Sequence, residues 1–453
     1  MSINNIIFLN KKYTLYSICL MLFIDAMGGG LIFPILPELF IDNKFGLILT
    51  DTYLSREMLY SLSFALLPLF SIIGMPILGA MSDKYGRIQV ILGGLIGLII
   101  NDLLSIASIL THNVWLFLFS IMLSGFLTGT YAVGNAIITD LSNNDEEIIT
   151  NFKLPTLASM LGFILGPGLA IFVNKINIAN PLIIPFIVAC TLSVINFLLL
   201  WNNFRNINKS IKIKTFGYIS NLDCINSNKN NILLNKLLLF RLIFNLITYV
   251  FTNQHTKVLA VSYLLCQFGF GLFLQSLSLN LSYNYYYTPS QIGEFFVIMA
   301  MSMAISMYLL HKLIAKFINY KTQIKIGLIA MSVLFVIYLV LHKVNVFQLY
   351  RIYITWTVTA IFYILIPFVT LGFTSLFAQN VPGRDKGQVM GGCGQIYSIG
   401  FFVSALLVGK LTVTTYNFIL LISSISFILS YVILNNFLKC IDLSNKNQVV
   451  ITR

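Results

Sequence analysis

The sequence predicts an all-α polytopic membrane protein with twelve transmembrane helices, and three observations lead to this fold class. Of the 453 residues, 58% are hydrophobic and only 9% are charged, whereas soluble domains are about 45–50% apolar and about 25% charged. The apolar residues fall into runs of about 20, the length that a helix needs to cross a hydrocarbon core about 30 Å thick. Lys and Arg cluster in the short segments between these runs, as expected of cytoplasmic loops.

Twelve apolar runs have the length of a membrane span. They lie near residues 14–37, 59–81, 88–110, 114–139, 152–173, 181–201, 258–281, 291–311, 324–342, 349–376, 388–409 and 414–438. With both termini in the cytoplasm, all but six of the 28 Lys and Arg residues fall on the cytoplasmic side, as the positive-inside rule requires. The six on the outer side are Lys44, Arg56, Lys175, Lys343, Arg351 and Lys410.

The segment 231–251 is also about one span long, but its charges argue against a thirteenth crossing. It contains Lys236 and Arg241, and an extra crossing would invert the second half and move four lysines near the start of span nine to the outer side, against the positive-inside rule. We predict a helix lying on the inner membrane surface. A buried or spanning helix is the alternative.

The predicted organisation has three parts. Residues 1–201 form a first bundle of six helices, residues 202–257 a cytoplasmic linker that contains the surface helix, and residues 258–453 a second bundle of six helices with a short cytoplasmic tail. The basic residues are spread over loops, which excludes a nucleic-acid-binding module. The six cysteines lack metal-site spacing, and the four histidines are scattered at loop edges, so no metal, cofactor or catalytic residue is expected and the protein is not expected to be an enzyme.

The loop between spans two and three, GMPILGAMSDKYGRIQVILGG (residues 74–94), has a distinctive pattern. Gly79, Asp83, Gly86 and Arg87 form G-x-x-x-D-x-x-G-R, in which Gly86 permits a tight turn and Gly79 permits close helix approach. The pattern resembles the signature loop of the major facilitator superfamily, in the form found in drug:proton antiporters.

Two further motifs support the resemblance over about residues 14–200. The stretch FIDAMGGGLIFPILP (residues 23–37) resembles the first helix of bacterial tetracycline exporters. GFILGPG resembles the fifth-helix motif of antiporters, with Gly162, Gly166 and Pro167 at matching positions. The second half resembles the family in its layout only.

The resemblance implies two six-helix bundles that open a central cavity alternately to each side of the membrane. It also implies a cytoplasmic latch. Asp83 would lie at the N-terminus of the eleventh helix, where free N–H groups favour an anion, and Arg87 would pair with Asp83 or with Asp140 at the end of the fourth helix. The alternative is an ordinary turn with weak surface charges.

Asp25 and Asp102 are acids inside predicted spans. They lie 11 and 14 residues after the first residues of their spans, Thr14 and Ile88, hence about 16 Å and about 21 Å deep at 1.5 Å per residue. An acid in a spanning helix is costly and usually faces a cavity or a partner. Both coincide with acids of the tetracycline-exporter pattern, and we predict that both couple transport to proton movement. The alternative is a pair of neutral, hydrogen-bonded structural acids.

Two usually charged positions of the pattern are neutral in this chain. Ile121 replaces an arginine of the fourth helix, and Met331 stands where the ninth helix of tetracycline exporters carries an acid. Asn101, Asn135 or water would then return the proton. The second bundle offers neutral side chains for hydrogen bonds to cargo, with helix packing as the alternative role of each: Gln267, Gln275, Tyr363, Gln395 and Tyr397.

The sequence therefore predicts a monomeric secondary transporter in the inner membrane of a bacterium, whose partners are a small-molecule substrate, protons and the lipid bilayer. Proton-coupled efflux of a small amphipathic compound, of the multidrug or tetracycline resistance type, is the first hypothesis. The alternative is import or export of a polar metabolite or siderophore with different or no proton coupling.

Overall fold

The computed structural model describes residues 3–41, 46–47, 54–140, 145–173, 180–207, 248–253, 256–310, 317–343, 350–380, 386–410 and 416–451. Within these ranges the regular structure is helical, and each predicted span corresponds to a helix. The helices are α1 Ile3–Ile41, α2 Arg56–Tyr85, α3 Arg87–Leu110, α4a Val114–Leu127, α4b Gly129–Asp140, α5 Asp145–Ala170, α6 Ile184–Ile207, α7 Lys257–Tyr285, α8 Pro289–Ile305, α9 Tyr320–Lys343, α10 Arg351–Gln379, α11 Lys386–Lys410 and α12 Tyr416–Ile451.

The lengths and compositions of these helices confirm the predicted fold class. Among the described residues, eleven stretches are long and apolar enough to cross a membrane, and the two pieces of α4 count together as one of them. The remaining apolar stretch, Leu154–Ala170 of α5, is shorter and supplies the twelfth span. The protein is an all-α polytopic membrane protein.

The fourth span differs from the prediction of a single helix because it is interrupted at Thr128. The Thr128 N–H donates to the carbonyl oxygens of Ser124 and Gly125 at 3.2 and 3.3 Å, and α4b starts afresh at Gly129. The interruption lies where α2 and α4 meet backbone to backbone, since a Cβ on Gly74 would collide with the Phe126 carbonyl. Only glycine permits such an approach.

Helices α1 and α5 also meet backbone to backbone. A Cβ at Gly162 would collide with the Phe23 carbonyl, and one at Gly166 would collide with the Met27 carbonyl. From the α1 side, a Cβ at Gly30 would lie 2.9 Å from Cδ of Pro167. Small residues that let two backbones approach are a common basis of helix association in membranes. Gly30 of the first-helix motif and Gly162 and Gly166 of the fifth-helix motif thus form one joint.

The chain divides into two compact units. The first comprises Met1–Arg56, Leu69–Ile243 and Thr288–Phe296, and the second comprises Glu57–Pro68, Phe244–Tyr287 and Val297–Arg453. The start of α2 therefore belongs to the second unit, where the Tyr60 hydroxyl donates to the Gln275 carbonyl at 2.7 Å. The start of α8 belongs to the first unit, where the Ser290 hydroxyl donates to the Ile171 carbonyl at 3.2 Å.

An aromatic core holds α7, α9, α10 and α12 together in the second unit. Its ring centroids lie 4.6 to 6.2 Å apart, in the range of favourable aromatic pairs. The rings belong to Phe270, Phe273, Phe335, Phe362 and Phe427. Hydrogen-bonded serines add to this packing, with the Ser262 and Ser430 hydroxyls 3.0 Å apart between α7 and α12.

The predicted linker lies largely outside the described residues. Helix α6 extends through Ile207, and residues 248–252 are helical. Most of the predicted surface helix at 231–251 falls in the gap between 207 and 248. The surface helix and the division of the chain at residues 201 and 258 therefore stay predictions.

Candidate functional site

One face of α1 is packed and the opposite face is open. Met27 faces α5, and at about 100° per residue Asp25 points roughly the other way. Gly28 and Gly29, three and four residues further on, lie on the same face as Asp25, and nothing lies within 4 Å of a Cβ built on either glycine. Asp25 is enclosed by surrounding protein, yet its side chain stays partly exposed. The carboxyl group and the two glycines therefore border an internal space.

Asp25 has no charged or hydrogen-bonding side-chain partner among the residues that the structure describes. A carboxyl group that borders an open space without a fixed partner is free to exchange a proton or to bind a positively charged group. This arrangement differs from that of a structural acid, which satisfies its oxygens with hydrogen bonds from neighbouring groups.

Asp102 lies in a different environment, inside the packed part of the first unit. It is only 7% exposed, and it accepts a hydrogen bond from Nδ2 of Asn101 at 3.3 Å. The Ser105 hydroxyl, one turn away, donates to Ser120 of α4a at 2.9 Å. The structure therefore brings Asp102 and Asn101 together, and it places Asp102 within the helix packing while Asp25 borders the internal space.

The positions that are usually charged in tetracycline exporters are filled by packed apolar side chains. Ile121 is 4% exposed and Met331 is fully buried. Each belongs to the hydrophobic interior of its own unit. Neither position supplies a group that could carry a proton or pair with an acid.

The predicted polar residues of the second unit separate into two groups. Gln267, Gln275, Tyr363 and Gln395 are each at most 2% exposed, whereas Tyr397 is 43% exposed. Gln275 joins α7 to α11, because its Nε2 donates to the Phe401 carbonyl at 3.1 Å and its Oε1 accepts from Ser404 at 3.2 Å. The exposed Tyr397 stacks on Phe401, with ring centroids 4.4 Å apart. Sequence reasoning missed Phe401, although its spacing of four residues from Tyr397 was an available signal.

Gln275→Leu is expected to lower stability and leave cargo binding unchanged. The substitution removes two buried hydrogen bonds, each with a net contribution of about 0.5–1.5 kcal/mol. Gln267→Leu is the matched control on the same helix, because the amide of Gln267 interacts with Tyr263 of its own helix and makes no hydrogen bond to α11 among the described residues. Thermal unfolding in detergent should show a loss for Gln275→Leu alone. Weaker cargo binding by folded Gln275→Leu protein would instead assign Gln275 to the binding site.

The turn of the predicted latch is only partly described. Gly86 has φ of 101°, a left-handed conformation that favours glycine. The close helix approach expected at Gly79 is not found among the described residues, since no atom lies within 4 Å of a Cβ placed there. The side chains of Asp83, Asp140 and Asn135 lie outside the described residues, and the latch stays a prediction.

Three comparisons place these features among known proteins. The sequence family described as Major Facilitator Superfamily matches residues 18–405. The tetracycline resistance protein, class B, of Escherichia coli is 32% identical over 190 residues, which cover 40% of this chain and 42% of that protein. The aligned part thus spans less than half of that relative.

Two solved structures are similar over nearly the whole chain. A D-xylose-proton symporter has a TM-score of 0.69 at 12% identity and covers 93% of this chain and 97% of its own. The human organic anion transporter MFSD10 (TETRAN) has a TM-score of 0.64 at 18% identity and covers 94% of this chain and 99% of its own. At such low identities the likeness shows the fold alone.

Proposed function

The chain belongs to the Major Facilitator Superfamily, and from this premise we propose that it exports a small amphipathic compound in exchange for protons. The observation that carries the proposal is the position of Asp25 on the open face of α1. The residue pattern of α1 resembles that of the first helix of tetracycline exporters. The similarity of the chain to a tetracycline resistance protein supports efflux as the direction of transport.

Exchange follows if one carboxylate serves both cargo and proton. Ionised Asp25 attracts a cationic or zwitterionic compound, and Gly28 and Gly29 leave room beside it because they carry no side chain. A proton arriving from the outer side neutralises the carboxylate and releases the compound there. The proton leaves when the cavity next opens inward, and the cycle repeats by alternating access.

The packed acid gives this cycle a second carboxyl group. Asp102 and Asn101 lie in contact within α3, and we assign them to proton movement within the first unit, with Asn135 and water as further carriers. With Ile121 in place of an arginine, a fixed positive charge does not drive the proton off Asp25 from that position. Release then depends on water entering the inward-open cavity.

The remaining parts of the proposal concern the setting of the transporter. We place it in the inner membrane of a bacterium as a monomer with both termini in the cytoplasm, in accordance with the distribution of Lys and Arg. Asp83, Gly86, Arg87 and Asp140 form the latch that closes the cytoplasmic side. The glycines at 162 and 166, with Pro167, hold α5 against α1.

A second function is transport of a polar metabolite or siderophore without the same proton coupling. The neutral side chains at positions 121 and 331 favour this alternative, since they remove two charges that tetracycline exporters use. The direction of transport and its dependence on pH separate the two functions.

Membrane vesicles of both orientations test the proposal. Proton-coupled efflux should make inverted vesicles accumulate cargo when their lumen is acidic, and collapse of the pH gradient should reduce the accumulation to the level of vesicles without the protein. Metabolites and antibiotics retained by cells that lack the protein supply the candidate cargo. Accumulation by right-side-out vesicles with an acidic exterior would contradict efflux and support symport, and accumulation that ignores pH would contradict proton coupling.

A further inference from the structure

Tyr397 and Phe401 form a flat aromatic surface on α11. Their ring centroids are 4.4 Å apart and their planes are inclined by 29°, which is a stacked arrangement. The two residues are four apart in a helix, so their rings lie on one face. The stack is already formed in the structure, and a third ring could join it without reorganising the two side chains.

The exposed surface of Tyr397 does not face the lipid. The exposed apolar side chains of α11 include Val403 and Leu406, and Leu406 lies nine residues past Tyr397, about 180° around the helix. Tyr397 is also enclosed by surrounding protein, although 43% of its surface is accessible. An enclosed side chain with accessible surface borders an internal space, as Asp25 does in the first unit.

The face of α11 that carries the stack is buried beyond Phe401, towards the C-terminal end of the helix. Ser404 and Ala405 are fully buried, and the Ala405 carbonyl accepts a hydrogen bond from Ser61 within the second unit. The accessible part of this face therefore does not extend past the stacked rings towards the C-terminal end of α11.

Uncharged groups surround the stack. The buried phenol of Tyr363 lies close to that of Tyr397. Gln267 packs against α11 at Gly400, where a Cβ would lie 2.8 Å from Cβ of Gln267. The side chain of Gln267 is buried and also interacts with Tyr263 of its own helix. An uncharged aromatic surface beside a buried amide suits a flat ring with polar substituents.

We propose that Tyr397 and Phe401 bind a flat, conjugated ring of the transported compound and so make the transporter selective for planar cargo. The proposal deepens the proposed function, because it names the chemical class of cargo. Binding by the stack needs no proton gradient, so the two proposals can fail separately.

Equilibrium binding to the purified full-length protein in detergent tests the proposal. Ethidium and acridine orange serve as flat probes, and tetraphenylphosphonium, whose rings are twisted out of one plane, serves as the matched non-planar cation. Because stacking on an aromatic side chain contributes strongly to the binding of flat rings, Tyr397→Leu should weaken binding of the flat probes about tenfold, equivalent to about 1.4 kcal/mol. Tyr397→Phe keeps the stacking ring and should bind as the wild type does.

Two controls separate stacking from misfolding. Tyr353→Leu removes an exposed tyrosine of α10, 68% exposed, and should leave every affinity unchanged. Tetraphenylphosphonium should bind the wild type and Tyr397→Leu equally. The proposal is overturned if the wild type binds neither flat probe, if Tyr397→Phe loses as much affinity as Tyr397→Leu, or if the flat and twisted probes lose equally. Failure of pH-driven transport together with the expected binding pattern would overturn the proposed function alone.

Discussion

Asp25→Asn is expected to abolish pH-driven accumulation in inverted vesicles. Asparagine has nearly the same shape as aspartate but can neither ionise nor carry a proton, so cargo movement is no longer tied to proton movement. We expect initial rates at the level of vesicles without the protein, and the pH dependence of any residual exchange should disappear. Initial rates measured across a series of imposed pH gradients provide the test.

The amount of Asp25→Asn protein in the membrane is the necessary control. Asp25 borders an internal space and has no side-chain partner among the described residues, so its substitution should leave folding intact. Asp102→Asn is the informative companion, because Asp102 accepts a hydrogen bond inside the packed interior. Full pH-driven transport by Asp25→Asn would remove Asp25 from the coupling mechanism. A loss confined to Asp102→Asn would move the coupling role to the packed acid.

Gly162→Val is expected to destabilise the first unit strongly. The Cβ alone would collide with the Phe23 carbonyl and would lie 3.1 Å from the Met27 nitrogen. These are main-chain atoms, which cannot make room by a change of rotamer as a side chain could. Overpacking usually costs about 1–3 kcal/mol and occasionally more, and we expect the upper end of this range or beyond. Thermal unfolding in detergent and the yield of monodisperse protein measure the effect.

Gly28→Ala is the matched control for Gly162→Val. It also adds a Cβ to a glycine of the first-helix motif, but on the face of α1 where nothing lies within 4 Å. Alanine is intrinsically favoured over glycine in a helix by about 1 kcal/mol, so stability should hold or rise. Equal destabilisation by Gly28→Ala and Gly162→Val would contradict the backbone contact between α1 and α5.

The sequence was sufficient to predict the spans because their signal is local. A run of about 20 apolar residues spans a membrane whatever lies beside it, and each of the twelve runs proved to be a helix. The turn at Gly86 was predictable for a similar reason, since a positive φ is a property of one residue. The interruption at Thr128 was not predictable, because it lies where α2 meets α4 backbone to backbone, and the sequence of one span does not show which helix approaches it.

The site was less predictable because it depends on the direction in which each helix faces. Gly28, Gly29 and Gly30 are the same residue type at consecutive positions, yet Gly30 contacts α5 and the other two border open space. Gln275 and Tyr397 looked equally suited to a cavity wall, yet one is satisfied by α11 and the other is accessible. Polarity within a span indicates that a partner is needed, but only the neighbouring helices show whether that partner is protein or cargo.

The division of α1 into a packed and an open face has a consequence for how such a transporter diversifies. The contact with α5 is made by backbone, so no compensating side-chain exchange can restore it once a glycine is lost. The open face is under no such constraint, and substitutions there change the shape and charge of the internal space while the contact with α5 stays intact. A single helix can therefore keep its packing fixed while the surface that it presents to the internal space evolves.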